Sequence, residues 1–336
     1  MVMKKFLKKT IIYAFGCIVC CVAFPYLLDP YNVFHWDNIR NNGVEPNKNY
    51  VKMRYVLDNP DKYDSFFFGS SRAGAVHTDK IAGEKCYNMT YSLGTVKEHL
   101  DNVRTFISEG IVPKHVYILV DSNSYTVNGE KHNSQPLRMT YEYASANKAE
   151  FYKTYLSAAM AFKSLRYILA QAGTDGYEYF YDYGWWCDYD RTSEIDWDGP
   201  LAPEIGDTDN IDERIKKCVN DVALLKALCE EYGIEFTVIT TPMHPVTYRA
   251  SVEEAEYLTF IKELSKVTEY INFSGLSTLT RDNGYYIDTS HFNAYMGDIM
   301  ISVLEGETSE YEYEGFGYHV TKDNADELVE ILKRQL

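Results

Sequence analysis

The chain has 336 residues, enough for one large domain or two small ones, and a formal net charge of −16. The acidic surplus excludes the clustered basic surface that nucleic-acid binding requires, so no nucleic-acid partner is expected. Apolar residues make up 46% of the chain and charged residues 24%, a balance that excludes general disorder.

The first predicted element is an apolar segment. Residues 10–28 carry no charge, follow a basic tail at residues 1–9, and end at Asp29. Nineteen helical residues extend about 28 Å, close to the hydrocarbon thickness of a bilayer. Lysines on the N-terminal side predict a cytoplasmic N-terminus, a single-pass anchor in contact with membrane lipid, and an extracytoplasmic body. A cleaved signal peptide, with Ala23 near the cleavage point, is the alternative.

Beyond the anchor, residues 29–62 are polar, and we expect a largely irregular juxtamembrane linker, with a short helix open at Arg54 to Leu57, before a body at residues 63–336. Short apolar runs then alternate with amphipathic stretches. The runs predict strands at 64–68, 85–89, 115–120, 234–241 and 270–273. The stretches predict helices at 95–109, 211–232, 252–267, 293–304 and around 328–332. This alternation indicates an α/β fold with a parallel sheet covered on both faces.

An insertion at about 126–210 interrupts the alternation. Its first half is predicted to be helical over 148–172, and its second half is predicted to be loop. Residues 175–213 contain thirteen acidic residues and a single basic one, a net charge of −12. Aromatic residues are also concentrated there. Two interpretations are open: a solvated loop whose aromatic residues fold onto the body, or a lid that stacks on sugars or docks a partner. The second makes Trp185 and Trp186 candidate substrate-binding residues.

Candidate catalytic residues follow the predicted strands. Ser71 lies in Gly69-Ser70-Ser71-Arg72, directly after the first strand, where a helix start offers backbone N–H groups to an oxyanion. Asp288 and His291 form an Asp-x-x-His segment after the last predicted strand. A carboxylate at this spacing can fix the tautomer of the histidine, whose other nitrogen then accepts a serine proton. Ligands of parallel sheets bind beyond the carboxyl ends of the strands, where these residues fall.

Four further residues complete the candidate site. Gly94 after the second strand and Asn123 after the third could donate to an oxyanion, or could serve only a turn and a cap. Arg72 could pair with a phosphate or carboxylate of the substrate, or with Asp79. His244 could be a loop histidine or a substrate contact. No C-x-x-C pair occurs outside the apolar run, and neither a metal nor a cofactor is expected.

These blocks resemble those of the SGNH (GDSL-type) hydrolase superfamily. The family's Gly-Asp-Ser block corresponds to Gly69-Ser70-Ser71, its glycine to Gly94, its Gly-x-Asn-Asp block to Asp121-Ser122-Asn123-Ser124, and its Asp-x-x-His block to Asp288 and His291. The Gly-Ser-Ser form and the anchor are most similar to a membrane-anchored branch that includes DltD and polysaccharide O-acetylation proteins. Ser70 and Asp121 depart from the family pattern, and Ser70 is an alternative nucleophile.

The resemblance implies a three-layer, flavodoxin-like parallel sheet. It also implies a membrane-tethered serine esterase or O-acyltransferase, with Ser71, His291 and Asp288 as catalytic residues and Gly94 and Asn123 in the oxyanion hole. The implied acceptor is a cell-envelope polysaccharide or teichoic acid, and the implied partner is a membrane-bound O-acyltransferase. The alternative is a catalytically inactive protein of the same fold that binds glycan or an assembly partner.

Overall fold

A computed structural model describes residues 2–35, 45–171, 197, 209–252 and 256–336. The chain divides into two compact units. One contains the described residues up to Tyr55 and those from Lys131 to Gln171. The other contains Val56–Glu130 and the described residues from Trp197 onward. Most of the acidic stretch predicted at 175–213, with Trp185 and Trp186, lies outside the described residues.

The helices and strands follow the predicted alternation in the second unit. The helices are α1 Val2–Leu28, α2 Lys48–Asp58, α3 Val96–Ser108, α4 Asn123–Thr126, α5 Tyr141–Ala146, α6 Lys148–Tyr155, α7 Ala158–Gln171, α8 Ile211–Tyr232, α9 Pro245–Val252, α10 Glu256–Leu264, α11 Ala294–Leu304 and α12 Ala325–Lys333. The strands are β1 Ser65–Phe68, β2 Cys86–Asn88, β3 His115–Val120, β4 Glu235–Thr240, β5 Tyr270–Asn272 and β6 Tyr318–Val320.

The six strands form one sheet in the order β2-β1-β3-β4-β5-β6. The pairs among the first five strands are parallel, and β6 pairs antiparallel to β5. The predicted α/β class with a parallel sheet is therefore confirmed for five strands, and the antiparallel β6 was not predicted. In this order the chain runs outward from β1 to β2 and then returns to the other side of β1 with β3. Ligands of doubly wound sheets bind at such a switch point, beyond the carboxyl ends of the two strands.

Both faces of the sheet are covered. Successive side chains of a strand point to opposite faces, so two neighbouring residues of β1 show what packs on each face. The ring of Phe66 in β1 packs on Phe106 of α3, with ring centroids 4.7 Å apart. The next residue, Phe67, belongs to a buried cluster that also contains Met296 and Met300 of α11. Burial on both faces explains why β1 and β3 appear in the sequence as continuous apolar runs.

In the first unit, α1 is longer than the apolar segment and reaches from Val2 to Leu28. Its span Met3–Leu28 is long and apolar enough to cross a membrane, and it packs against α7. The chain turns immediately after this helix. The Asp29 carboxylate accepts hydrogen bonds from the N–H groups of Val33, Phe34 and His35 at 2.7–2.9 Å, which fixes that turn.

Within the juxtamembrane linker expected at 29–62, α2 occupies Lys48–Asp58 and is longer than the short helix considered at 54–57. This helix is not a surface helix with a polar face. Val51, Lys52 and Met53 are all fully buried. Two lysines of α2, Lys48 and Lys52, are buried beside its apolar residues, so the apolar periodicity of an amphipathic helix is absent from the sequence.

The single helix predicted over 148–172 is divided into α6 and α7. The division falls at Leu156 and Ser157, where the Ser157 hydroxyl accepts a hydrogen bond from the Met160 N–H at 3.2 Å. A serine in this position caps the N-terminus of the following helix, and favours a new start over continuation.

Candidate active site

The turn after β1 carries the candidate nucleophile. Gly69 links the strand to a 3₁₀ turn at Ser71–Ala75. A Cβ atom at residue 69 would lie 2.6 Å from the Cβ of Ala73, so only glycine permits this tight turn. The Asn88 amide, at the end of β2, donates to the carbonyl oxygens of Ala73 at 2.9 Å and Val76 at 3.2 Å. Neighbouring strands therefore hold the turn that presents Ser71.

The candidate base lies on a short loop before α11. The loop is closed by a bridge between Tyr286 and Phe292. Inside it, one Asp288 carboxylate oxygen accepts hydrogen bonds from the N–H groups of Ser290 at 2.7 Å and His291 at 2.8 Å. An aspartate that binds the backbone two and three residues ahead defines a local turn. This turn brings the His291 ring back against the Asp288 carboxylate.

The structure brings the three predicted catalytic residues together. The Ser71 Oγ lies 2.9 Å from His291 Nε2, and His291 Nδ1 lies 3.0 Å from both carboxylate oxygens of Asp288. An ionised carboxylate accepts only, so Nδ1 carries the proton and Nε2 presents its lone pair to the Ser71 hydroxyl. Ser71 and His291 are both partly exposed. A substrate can therefore reach the hydroxyl.

Asp288 stays ionised in this arrangement. Burial acts to raise its pKa, but the hydrogen bond and charge of His291, together with the N–H groups of Ser290 and His291, outweigh burial and lower the pKa to about 2. A carboxylate that is ionised at every ordinary pH keeps the proton on Nδ1 and stabilises an imidazolium.

Ser70, the alternative nucleophile, has a different environment. Its side chain is turned away from His291, and the hydroxyl donates to Asp121 Oδ2 at 2.7 Å. Ser70 is 2% exposed, and its carbonyl oxygen accepts a hydrogen bond from the Thr90 hydroxyl. The geometry therefore favours Ser71 over Ser70 as the nucleophile.

Of the predicted oxyanion donors, Asn123 is the better placed. It begins α4 at the carboxyl end of β3, across the switch point from Ser71. It is 7% exposed, and its side-chain amide makes no hydrogen bond within the described part of the chain. The backbone N–H of Ser71 is likewise free of described hydrogen bonds. These two donors could hold an oxyanion.

Gly94 lies beside the turn but its N–H is already used. A Cβ at residue 94 would lie 2.7 Å from the carbonyl oxygen of Gly69, so the two glycines are in close contact. The Gly94 N–H donates to the Tyr91 carbonyl at 3.3 Å, a long hydrogen bond. Its role as an oxyanion donor stays a prediction, because the bond to Tyr91 would have to be exchanged for one to substrate.

Arg72 has a different ion-pair partner from the predicted Asp79, and its role towards substrate stays a prediction. Its guanidinium is 3% exposed and pairs with Asp121 rather than with Asp79, at 3.1 Å between Nη1 and Oδ2. Buried in this way, it is poorly placed to bind a substrate phosphate or carboxylate. In the sequence, Asp121 differs from the glycine of the similar block, and nothing there indicates that Arg72 is its partner.

His244 lies next to the loop that carries His291. The hydroxyl of Thr247, which follows it in α9, donates to the carbonyl oxygen of Thr289. The His244 ring stacks on Trp197 with centroids 5.1 Å apart, and Nε2 contacts Asn283 Oδ1 at 3.0 Å. Burial lowers the pKa of His244 against the opposing effects of Asn283 and of the Asp288 charge. His244 is therefore a neutral ring that could line a binding surface with Trp197.

One group of potential metal ligands occurs among the described residues, at the amino ends of the central strands β3 and β4. Glu84, His115 and Glu235 bring ligand atoms within 4.8 Å of one another, where β3 and β4 begin. The His115 ring already bonds Glu84 at 3.0 Å and Thr237 at 2.8 Å. The group lies at the opposite end of β3 from Asp121 and Asn123, remote from the candidate catalytic chemistry.

Comparison of the sequence with models of protein families and with curated proteins gives no match. The geometry of the site is therefore the guide to function.

Proposed function

We propose that the chain is an extracytoplasmic, membrane-tethered serine esterase or O-acyltransferase of the SGNH type. The observation that carries the proposal is the hydrogen-bond chain from Ser71 through His291 to Asp288. Serine, histidine and carboxylate in this geometry form an activated nucleophile, and the same arrangement recurs on unrelated folds. Its position at the switch point of a doubly wound sheet supports a ligand site there.

The first half-reaction forms an acyl-enzyme. The Ser71 oxygen attacks the acyl carbonyl carbon while His291 Nε2 takes the hydroxyl proton. Asp288 stabilises the imidazolium through the Nδ1 proton, and the Asn123 amide and Ser71 N–H hold the oxyanion. When the tetrahedral intermediate collapses, the bond to the leaving group breaks, and His291 gives its proton to that group.

The second half-reaction separates an esterase from a transferase. His291 now removes a proton from water, or from a hydroxyl of an acceptor polymer, and the resulting oxygen nucleophile attacks the acyl-Ser71 carbonyl. The bond between the acyl carbon and Ser71 Oγ then breaks, and His291 returns the proton to Ser71 Oγ. The apolar helix α1 supports an acceptor in the cell envelope, a glycan or teichoic acid, and a donor supplied by a membrane-bound O-acyltransferase. Trp197 stacked on His244 offers an aromatic surface suited to a sugar ring.

The engaged N–H of Gly94 favours the second candidate, a glycan-binding protein of the same fold that has lost catalysis. A fluorophosphonate probe distinguishes the two, because it reacts with an activated serine and requires no acceptor. We expect the full-length protein in detergent to be labelled. Ser71→Ala and His291→Ala should abolish labelling, whereas the exposed control variants Ser108→Ala and His319→Ala should leave it unchanged.

The outcome against the proposal is equally definite. If the folded wild-type protein takes no label and releases no acetate from an O-acetylated glycan, the catalytic proposal fails and the glycan-binding alternative stands. Binding of that glycan by the unlabelled protein would then support the second function directly.

A further inference from the structure

Arg72 makes an unusual set of contacts for a residue next to a nucleophile. Its Nη1 lies 3.1 Å from Asp121 Oδ2 and 3.4 Å from the Ser122 hydroxyl. Its Nε donates to the carbonyl oxygen of Ser290 at 3.0 Å, and its Nη2 donates to the Ser290 hydroxyl at 3.2 Å. A single guanidinium therefore contacts two segments distant in sequence.

Those segments carry the other reacting groups. Asp121 and Ser122 directly precede Asn123, and Ser290 lies between Asp288 and His291. Arg72 itself follows Ser71 in the same 3₁₀ turn. The guanidinium thus ties the nucleophile turn to the segment with the oxyanion donor and to the loop with the base.

We infer that the buried Arg72–Asp121 pair is a positioning device that holds His291 against Ser71, an inference that rests on the proposed function. The described contacts of the guanidinium are with Asp121, Ser122 and Ser290, and none is with Ser71 Oγ or the His291 ring. Arg72 acts through Ser290, whose carbonyl and hydroxyl it fixes, and so sets the place of the adjacent His291 ring. A displacement of about 1 Å in a reacting group can slow catalysis about a hundredfold.

The charges support this role over simple stabilisation of the fold. Asp121 is fully buried, and its Oδ1 finds no hydrogen-bond partner in the described chain. Burying two charges removes them from water, and such pairs often stabilise a fold no better than apolar residues of the same volume. The planar fork of an arginine does supply what positioning needs, which is several donors in fixed directions.

Ser70 completes the device and accounts for both departures from the family pattern. The Ser70 hydroxyl donates to the same Asp121 oxygen that Arg72 contacts. The carboxylate that the family carries at the position of Ser70 is here supplied by residue 121, within hydrogen-bond distance of residue 70. Residue 70 and Arg72 therefore share one carboxylate oxygen, that of Asp121.

The test compares labelling rates of full-length variants in detergent. Arg72→Lys keeps the charge but loses the fork, and Asp121→Ser removes the carboxylate. We expect each to be labelled about a hundredfold more slowly, with the rate constant for ester hydrolysis reduced and KM little changed. Ser70→Asp combined with Asp121→Ser restores a carboxylate. The double variant should be labelled at least tenfold faster than Asp121→Ser alone. The control Lys80→Met breaks the exposed pair of Lys80 with Asp298, and should change nothing.

Two further measurements test the positioning role without relying on the Arg72 variants alone. Ser290→Ala leaves the ion pair intact and removes one contact to the loop, so it decides the question if the Arg72 variants do not fold. We expect about tenfold slower labelling. A far-downfield proton resonance from the hydrogen bond between His291 and Asp288 reports positioning without catalysis, and should shift or broaden in Arg72→Lys.

Each outcome has one consequence. A wild-type protein without label contradicts the proposed function, and the proton resonance then tests the positioning inference alone. A labelled wild type with a folded Arg72→Lys, or a Ser290→Ala, that reacts at the wild-type rate and keeps the resonance overturns the positioning inference only.

Discussion

Ser70 and Ser71 are neighbours in sequence, yet they end in opposite environments. Ser71 is partly exposed and its hydroxyl donates to His291, whose partner Asp288 keeps 39% of its side chain exposed. Ser70 is buried and its hydroxyl donates to Asp121, whose side chain is fully buried beside Arg72. Each serine is therefore connected to a carboxylate. Ser71 is connected to Asp288 through the His291 ring, which can accept a proton, whereas Ser70 contacts Asp121 directly.

The difference shows that exposure and the nature of the partner decide what a serine can do. A hydroxyl next to a neutral imidazole can lose its proton, because the imidazole accepts it. A hydroxyl that donates to a carboxylate paired with arginine has no such acceptor. The buried pair of Ser70 and Asp121 therefore suits a positioning role, and the exposed pair of Ser71 and His291 suits the proposed proton transfer.

The largest expected effect is on the exposed pair. Asp288→Asn should lower kcat for ester hydrolysis about 10⁴-fold, because an amide no longer fixes the tautomer of His291. Since the pKa of Asp288 is about 2, the deficit should be constant from about pH 5 to about pH 9. Steady-state kinetics against pH checks both points. The control Asp282→Asn, in a turn on the same segment, should stay near the wild-type rate, and an Asp288→Asn within tenfold of wild type would contradict the assignment.

The next effect is on the oxyanion. Asn123→Ala should lower kcat by about 10²- to 10³-fold with little change in KM, because the amide acts where charge develops in the transition state. Asn128→Ala is the matched control, since Asn128 caps a nearby turn through the Glu130 N–H. Equal losses in the two variants would show that the effect is structural.

The third prediction separates the two serines directly. Ser71→Ala should abolish labelling while changing the free energy of unfolding by no more than about 0.5 kcal/mol. Ser70→Ala should keep labelling within about tenfold of wild type but lower the free energy of unfolding by about 1–3 kcal/mol, because a buried carboxylate oxygen loses a donor. Denaturant unfolding and probe labelling of both variants give the four values. The reverse pattern would mean that the roles are exchanged.

The smallest effect is on stability alone and extends the comparison to the histidines. His99 is buried behind Gly94, and burial lowers its pKa to about 3. The unfolded chain binds a proton below about pH 6.5, whereas the folded chain does not until about pH 3. The stability from neutral His99 is therefore fully present above about pH 6.5 and is lost as the pH falls towards 3.

Because only the unfolded chain binds this proton, we expect the free energy of unfolding to fall by about 2 kcal/mol between pH 7 and pH 5 on account of His99. Urea unfolding at the two pH values measures the difference. His99→Phe, an aromatic replacement beside Phe68, should remove that part of the pH dependence, and the exposed His319→Gln should retain it. An unchanged slope in His99→Phe would place the acid sensitivity elsewhere.

The sheet was predictable where burial is complete. The strand predicted at 115–120 coincides with β3, because a strand buried on both faces is a continuous apolar run. β6 has only three residues, Tyr318–Val320, and one of them is buried, so no run marks it. The full extent of helix α2 was missed because its buried lysines are indistinguishable in sequence from surface lysines.

Within the site, too, local features were predictable and contacts between distant segments were not. Asp288 and His291 were predictable because they are three positions apart in the sequence and a local turn joins them. Ser71 was assigned from the register of its block, and its contact with His291 spans 220 residues that only the fold brings together. The Arg72–Asp121 pair could not be predicted, because an arginine and an aspartate in a sequence do not show whether they form a buried ion pair or lie apart on the surface.

The two glycines at the nucleophile turn have a consequence for variation. A single added carbon at Gly69 would meet Ala73, and at Gly94 it would meet the backbone of residue 69. In a saturation mutagenesis screen, these two positions should therefore accept glycine alone, whatever residue is introduced nearby. Positions 70 and 121 should instead accept substitutions in pairs, because a carboxylate from either side can reach Arg72. The close backbone contact of the turn therefore leaves no room for a side chain at residues 69 and 94, whereas residues 70 and 121 can exchange their polar groups as a pair.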